Sequence, residues 1–229
     1  MLNRVLEPEV MDTQAEAIDY DRMDHSHVNK VFVDDFLSAL NRASPKPTQP
    51  WRIFDAGTGT AQIPIELMRR GISAKIMAAD LASQMLIVAK ENVIRAGFES
   101  SIDPVIRDCK NLPEADAVFD AIMSNSIVHH IPEPQRVFAE LWRILNPGGI
   151  FFIRDLCRPN DIEILNHLVQ TYAGEANAHQ QQMFRESLHA ALSVAEIRLM
   201  VAQLGIPAES VQATSDRHWT LQFVKPLKN

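Results

Sequence analysis

Cysteine is scarce in this sequence, which has only Cys109 and Cys157 among its 229 residues. Two thiols cannot form a disulfide framework or a four-thiolate zinc site. The sequence also lacks an uninterrupted apolar run of transmembrane length, and its first residues have no apolar signal-peptide core. These absences predict a cytoplasmic protein without stable membrane insertion.

An excess of basic residues is missing as well. Lysine and arginine number 22 against 29 acidic residues, which gives a formal net charge of −7. Because binding to nucleic acid requires a basic surface, this balance predicts no nucleic-acid partner. Apolar residues make up 46% of the chain, as is usual for globular proteins, and its length suits one sizeable domain.

The first 48 residues are acidic and carry few strand signals. Ala15–Tyr20 and Val28–Leu40 are predicted as helices, and a proline-rich linker follows at 44–50. We expect this region to form a helical amino-terminal segment. Five apolar side chains would share one face of the second helix at helical spacing, namely Val31, Phe32, Phe36, Leu37 and Leu40.

From Trp51 onward, apolar strands alternate with helices, which indicates right-handed βαβ units and a mostly parallel sheet. Ser83 is expected to cap the helix that ends near Gly97, and Pro104 suits an edge strand or an irregular position. A helix over Pro134–Leu145 is expected to end in the turn 146–149. The first of five predicted strands begins at Ile53. The other four cover Lys75–Asp80, Ile102–Ile106, Ala117–Ser124 and Ile150–Arg154.

The remaining residues are expected to form a helical insert on the substrate side (159–205) and a final hairpin (206–229). Asp161–Tyr172 and Gln180–Leu192 are predicted helices, and Ser193 opens a capping box with Glu196. Two short strands then flank the turn at 215–217 and would extend the sheet antiparallel. The predicted fold is therefore a doubly wound α/β sheet of seven strands, occupying 49–229, with its last pair antiparallel.

The glycine turn after the first strand predicts a ligand site at the carboxyl end of that strand. Asp55 is followed by Gly57-Thr58-Gly59 and then by an amphipathic helix with Pro64 in its first turn. A phosphate-binding P-loop is excluded, because no lysine follows Gly59. A nicotinamide dinucleotide would favour glycine where Gln62 stands, so that cofactor is an alternative with little support.

Four motifs in order resemble those of class I S-adenosylmethionine-dependent methyltransferases. The turn Asp55-Ala-Gly57-Thr-Gly59-Thr-Ala61 is similar to motif I, with alanine in place of the last glycine. Asp80 ends the second strand and Asp108 follows the third. Residues 120–131 and the Arg-Ile-Leu-Asn-Pro-Gly-Gly segment at 143–149 resemble the later motifs. The resemblance covers roughly residues 50–156, within the branch that contains the ubiquinone/menaquinone-biosynthesis methyltransferases.

This resemblance implies S-adenosyl-L-methionine as the cofactor and assigns residues to it. Asp80 would accept hydrogen bonds from the ribose hydroxyls, and Asp108 would accept one from the adenine amino group. The backbone carbonyls of Ser124 and Asn125 would hold the methionine ammonium. Residues 1–48 would form a lid across the cofactor. The expected cofactor-binding residues are Tyr20, Asp55, Gly57, Thr58, Gly59, Asp80, Leu81, Met85, Asp108, Cys109, Ser124 and Asn125.

Candidate catalytic residues follow the fourth and fifth strands. His129 or His130 is a candidate general base, although one of the pair could instead pack and bond to backbone. Arg154 could clamp an acidic substrate, or pair with an acid of the protein. No metal is expected, because adjacent histidines do not easily face one ion and no partner ligand has suitable spacing.

The predicted activity is methyl transfer from S-adenosyl-L-methionine to a small-molecule acceptor. The alternative is a module that binds S-adenosylmethionine or S-adenosylhomocysteine without methyl transfer. Both functions need the same glycine turn and Asp80, so the sequence does not separate them.

Overall fold

The computed structural model describes residues 2–10, 12–43, 45–48 and 50–227. Within the predicted linker at 44–50, Ser44 and Gln49 lie outside the described residues, as do the chain ends Met1, Lys228 and Asn229. No helix within the described ranges is both long enough and apolar enough to cross a membrane.

The described residues form eight α-helices and seven β-strands. The helices are α1 (Gln14–Arg22), α2 (Ser26–Leu40), α3 (Gln62–Arg69), α4 (Ser83–Ala96), α5 (Pro134–Ile144), α6 (Ile162–Ala173), α7 (Ala178–Ala190) and α8 (Val194–Ala202). The strands are β1 (Trp51–Ala56), β2 (Ala74–Asp80), β3 (Ile102–Ile106), β4 (Phe119–Asn125), β5 (Leu145–Leu156), β6 (Val211–Ala213) and β7 (His218–Val224). Short 3₁₀ turns lie at Val128–His130 and Ala208–Ser210.

The strands form one seven-stranded sheet in the order β3-β2-β1-β4-β5-β7-β6. β1 pairs in parallel with both β2 and β4, and β2 pairs in parallel with β3. β6 and β7 are antiparallel. The predicted fold is confirmed, and Pro104 lies in the edge strand β3, where its missing N–H costs no sheet hydrogen bond.

The chain divides into two compact units. Unit 1 comprises Met1–Glu9, Ser126–Gln135 and Arg154–Leu221, and unit 2 comprises Val10–Asn125, Arg136–Ile153 and Gln222–Asn229. Unit 2 holds the carboxyl ends of β1 to β4. Unit 1 holds the 3₁₀ turn Val128–His130 and the helices α6 to α8.

Unit 2 is organised around the buried strand β1, which exposes little after its first two residues. Apolar side chains of α2 pack against this core, and Phe32 and Phe36 contact Phe152 edge to face. The prediction for this helix face was wrong at Val31, which is 42% exposed, whereas Val33 is fully buried. The face of α2 that packs on the core is therefore rotated by part of a turn from the predicted face.

The start of α4 differs from the sequence prediction. Its N-cap is Ala82, without a side-chain cap, so Ser83 is not the capping residue. Asp12 performs that task from a distant part of the chain, since its Oδ1 accepts the Gln84 N–H at 2.8 Å and the Ser83 hydroxyl at 3.2 Å. A carboxylate at this position satisfies free N–H groups and favours the positive end of the helix dipole.

Replacing Asp12 with alanine is expected to lower the free energy of unfolding by about 1 kcal/mol, the usual cost of losing a cap. Ser83→Ala is expected to cost only a few tenths of that amount, because Ser83 donates to the carboxylate and caps nothing itself. Urea denaturation of both variants measures the difference. Asp19→Ala, an exposed change of the same charge, is the control; a larger loss for Ser83→Ala would contradict the assignment.

The Asn-Pro-Gly-Gly segment at 146–149 also differs from the sequence prediction, which made it a turn. The helix α5 ends at Ile144, and β5 begins directly at Leu145, so residues 146–149 belong to the strand. The Gly148 N–H donates to the Lys225 carbonyl at 2.7 Å, and the Lys225 N–H donates to the Gly149 carbonyl at 2.9 Å. A Cβ on Gly149 would lie 2.8 Å from the Asp120 carbonyl oxygen, so glycine is required there for close packing.

Candidate functional site

The glycine turn lies in unit 2, between β1 and α3. Gly57 and Gly59 have φ angles of 74° and 55°, and Ala61 has a φ of 62°. The N–H groups of Gly57 and Thr58 both donate to the Ala79 carbonyl, at 2.8 and 2.9 Å. The turn is thus fixed to the end of β2, and its backbone conformation is one that glycine adopts without strain.

Asp80 anchors the glycine turn from the end of β2. Its Oδ2 accepts the Gly59 N–H at 2.8 Å, and its Oδ1 accepts the Ala82 N–H at 2.9 Å. An ionised carboxylate has about four acceptor positions. Asp80 therefore holds both the turn and the start of α4 in place.

Asp55 is buried beneath the turn and is only 3% exposed. Burial raises the pKa of this carboxyl to about 7, a hydrogen bond from the Thr58 side chain opposes that effect, and the negative charge of Asp80 adds to it. A buried carboxyl at this position favours a ligand that brings a cation or an N–H group to it.

The raised pKa of Asp55 predicts a pH dependence of stability. The folded protein binds the Asp55 proton more tightly than the unfolded chain, whose carboxyl titrates near 3.8. The free energy of unfolding should therefore fall as the pH rises from about 3.8 to about 7. Asp55→Asn is expected to remove this component, measured by denaturation of the ligand-free protein across that range.

The control for this prediction is Asp103→Asn, an exposed change of the same charge in β3. It should retain the pH dependence of the wild type. An identical slope in Asp55→Asn and in the wild type would contradict the assignment to Asp55.

The amino-terminal helix α1 packs over this turn within unit 2. A Cβ on Gly59 would lie 3.5 Å from a ring carbon of Tyr20. Tyr20 also packs on the cluster of Ala17, Ala82 and Met85. Burial and then the charges of Asp80 and Asp55 raise the pKa of the Tyr20 hydroxyl. Tyr20 is thus placed beside the predicted cofactor residues.

Asp21 fixes α1 to the same region, which the sequence did not indicate. Its Oδ1 accepts the Asn92 amide at 2.7 Å and the Gln62 amide at 3.2 Å. Asn92 also donates to the Thr60 carbonyl at 3.1 Å. These bonds join α1, α3 and α4 around the glycine turn. No spacing rule could reveal them, because the partners lie far apart in the sequence.

The residues expected near adenine lie after β2 and β3. Leu81 is 39% exposed, whereas Met85 is only 5% exposed and belongs to the core. The Oδ1 of Asp108 accepts the Lys110 N–H at 2.9 Å and pairs with the Lys110 ammonium at 3.2 Å. Burial raises the pKa of the Cys109 thiol, so Cys109 stays neutral and cannot act as a nucleophile.

Ser124 and Asn125 end β4 in unit 2, as predicted. The buried Ser124 hydroxyl donates to the Ala56 carbonyl at 2.8 Å and so ties the ends of β4 and β1 together. Apart from Tyr20 in α1 and Met85 in α4, the predicted cofactor residues therefore lie at the carboxyl ends of β1, β2 and β4 or in the loops that follow β1, β2 and β3. Their roles toward the cofactor stay predictions.

The two histidines lie in unit 1, in the 3₁₀ turn Val128–His130. The Nδ1 of His129 lies 2.5 Å from the Oδ1 of Asp155, and both side chains are buried. Burial alone would lower the pKa of His129, but the charge and hydrogen bond of Asp155 outweigh it and raise this pKa. Asp155 also accepts the N–H groups of Val128, His129 and Leu156.

Glu7 joins the histidines within unit 1. Its Oε1 lies 3.5 Å from the His129 Nε2 and 3.1 Å from the His130 Nδ1. The expectation of no metal relied on the absence of a suitably spaced partner ligand. The fold supplies such a side chain from the opposite end of the sequence, where spacing could not indicate it.

The arginines of unit 1 contact protein groups. The buried Arg154 donates from Nε to the Thr220 hydroxyl at 2.9 Å. Arg158 forms a bidentate pair with the Glu196 carboxylate at 2.8 and 2.9 Å. The proposed catalytic roles of His129, His130 and Arg154 stay predictions.

Comparison with known proteins finds similarity over the part of the chain that carries the glycine turn. Residues 54–153 match the family described as "Methyltransferase domain". A malonyl-[acyl-carrier protein] O-methyltransferase of Geobacter sulfurreducens is 34% identical over 135 residues, which are 59% of this chain and 48% of that protein. A ubiquinone/menaquinone biosynthesis C-methyltransferase of Methylobacterium nodulans is 31% identical over 140 residues, covering 60% of this chain and 53% of that protein.

A solved structure supports the fold over nearly the whole chain. The crystal structure of a SAM-dependent methyltransferase from Aquifex aeolicus aligns with a TM-score of 0.64 and 18% identity, covering 93% of this chain and 98% of that one. The chain spans about half the length of the curated relatives it matches. The resemblance stated from the sequence motifs is thereby confirmed.

Proposed function

We propose that this chain, which contains a class I methyltransferase domain at residues 54–153, transfers a methyl group from S-adenosyl-L-methionine to a small-molecule acceptor. The observation that carries the proposal is the arrangement of Asp80, Gly59 and Asp55 at the ends of β1 and β2. Asp80 holds the glycine turn from the end of β2, and the Asp55 carboxyl is buried beneath that turn. The relatives supply the reaction type.

The cofactor is proposed to bind through residues of unit 2. Gly57, Thr58 and Gly59 let the backbone approach a ligand closely, and Asp80 would accept the ribose hydroxyls. The carboxylates of Asp55 and Asp80 give the site a negative potential, which favours a cationic ligand. S-adenosyl-L-methionine supplies a methyl group on an already activated sulfonium.

Residues 1–48 are proposed to act as the lid of this site. α1 is held to α4 and to the glycine turn by Asp12 and Asp21, and Tyr20 packs beside Gly59. Such a lid would exclude water and align the acceptor with the methyl group. Because the donor is activated, alignment can supply most of the acceleration. A general base such as His129 or His130 is needed only when the acceptor binds in its protonated form.

The test is turnover with a methyl-labelled cofactor. The full chain is incubated with labelled S-adenosyl-L-methionine and a small-metabolite extract, and S-adenosylhomocysteine and labelled products are followed by mass spectrometry. Stoichiometric formation of both supports methyl transfer. Tight S-adenosylhomocysteine binding without turnover in any extract would instead favour a binding module, and tight NAD(H) binding alone would end the proposal.

A further inference from the structure

Three side chains of unit 1 place metal-ligating atoms around one point. The Oε1 of Glu7, a ring nitrogen of His129 and one of His130 all lie within 4.8 Å of one another. The side chains of Glu7, His129 and His130 are only 11%, 4% and 22% exposed. The cluster combines imidazole and carboxylate groups, which are ligands that zinc accepts.

The hydrogen-bonding pattern leaves lone pairs facing each other. The Nδ1 of His129 is paired with Asp155, so the proton of a neutral imidazole lies on that nitrogen. Its Nε2 lone pair then faces the Oε1 of Glu7 at 3.5 Å. A contact between these two atoms needs either a proton on the Nε2 or a metal ion between them. The Glu7 Oε1 and the His130 Nδ1 are both buried and lie 3.1 Å apart, within hydrogen-bond distance.

The two distances from Glu7 are close to those around one tetrahedral ion. With zinc–nitrogen and zinc–oxygen bonds of about 2.0–2.2 Å, the edge of a tetrahedron is roughly 3.3–3.6 Å. The measured separations from Glu7 are 3.5 Å to His129 and 3.1 Å to His130. The adjacent histidines can share an ion because they present different nitrogens, Nε2 and Nδ1, with ring centroids 4.1 Å apart.

We propose that Glu7, His129 and His130 form a Zn²⁺ site with a fourth position open to water or an exogenous ligand. Asp155 orients His129, as carboxylates do for many zinc-bound histidines. A divalent ion would also compensate the carboxylates of Glu7 and Asp155. This proposal does not rest on the methyl-transfer activity. A bound Zn²⁺ would occupy the histidine lone pairs that a general base would use.

The site would fasten the amino-terminal segment to the rest of unit 1. Arg4 donates to the carbonyls of Ala190, His129 and Ile131 at 2.7, 3.0 and 3.0 Å. The Ser187 hydroxyl donates to the second oxygen of Glu7 at 3.2 Å. Glu7 is therefore held beside the histidines before any ion binds, which lowers the entropic cost of assembling the ligands.

The experiment is a zinc titration of the full chain after removal of metal with a chelator. A chromophoric chelator competes for Zn²⁺, and its absorbance gives stoichiometry and affinity. We expect one Zn²⁺ per chain and a loss of affinity of roughly tenfold or more in Glu7→Gln and in His130→Gln, by analogy with the cost of disturbing metal shells. His167→Gln, an exposed histidine in α6, should bind zinc as the wild type does.

Three further measurements keep a folding defect separate from a binding defect. Circular dichroism of the metal-free variants must match the metal-free wild type, and Glu7→Asp, which keeps the carboxylate, should bind more zinc than Glu7→Gln. The Tm of the wild type should rise with zinc, whereas that of Glu7→Gln should not. Absence of a 1:1 complex would overturn the proposal, as would equal affinities in the wild type and both ligand variants. In that case a proton on the His129 Nε2 would account for the contact with Glu7.

Discussion

Asp155→Ala is expected to lower the free energy of unfolding by about 3–5 kcal/mol, which is the usual cost of removing one partner from a buried charged pair. The Asp155 carboxylate accepts the N–H groups of Val128, His129 and Leu156 at 2.5, 3.2 and 2.6 Å, and it also pairs with the His129 ring. Alanine would leave these buried donors without an acceptor. Equilibrium denaturation by urea measures the loss.

The matched control for Asp155 is Asp216→Ala in the same unit. Asp216 pairs with Arg217 at 3.2 Å, but its side chain is 50% exposed, so the loss should stay below about 1 kcal/mol. Asp155→Asn should lie between the two, because an amide oxygen can still accept some of the N–H groups. Equal losses for Asp155→Ala and Asp216→Ala would contradict the role described for Asp155.

Asp80→Ala is expected to weaken the binding of S-adenosyl-L-methionine and S-adenosylhomocysteine by about 1–3 kcal/mol, or roughly 5- to 150-fold in Kd. The substitution removes the proposed ribose acceptor and also the bonds to the N–H groups of Gly59 and Ala82. Isothermal titration calorimetry measures the affinity. Asp103→Ala, an exposed aspartate of β3, should bind both ligands as the wild type does.

A deoxy analogue separates the two contributions of Asp80. In the wild type, S-adenosylhomocysteine that lacks the ribose hydroxyls should bind more weakly than the parent compound. In Asp80→Ala the two ligands should bind with similar affinity, because the acceptor for the hydroxyls is already absent. If removal of the hydroxyls costs the same in both proteins, Asp80 supports only the turn, and its proposed ribose contact is wrong.

The sequence predicted those parts of the fold and site that depend on local chemistry. Gly57 and Gly59 marked the turn because their positive φ angles require a residue without a side-chain clash. The apolar runs predicted the strands, and Asp80 was correctly predicted at the end of β2. The capping box at Ser193 was likewise visible, since both partners lie within four residues, and the structure contains it.

Long-range contacts account for what the sequence could not show. Asp12 caps α4 from 72 residues away, so Ser83 was taken for the cap because it was the local candidate. Residues 146–149 have the composition of a turn, yet their pairing with Lys225 places them in a strand. No periodicity of the sequence could indicate that Glu7 lies beside His129. In each case the partner is selected by the folded chain.

The contacts of Arg4 have a consequence for the order of events during synthesis. Arg4 and its acceptor Ala190 are separated by 186 residues along the chain. At translation rates of 5–20 residues per second, this distance corresponds to roughly 10–40 seconds. Arg4 can therefore bond to Ala190 only after α7 has left the ribosome, although its acceptors His129 and Ile131 are synthesised earlier. The contacts that complete unit 1 around residues 2–9 thus form late in synthesis.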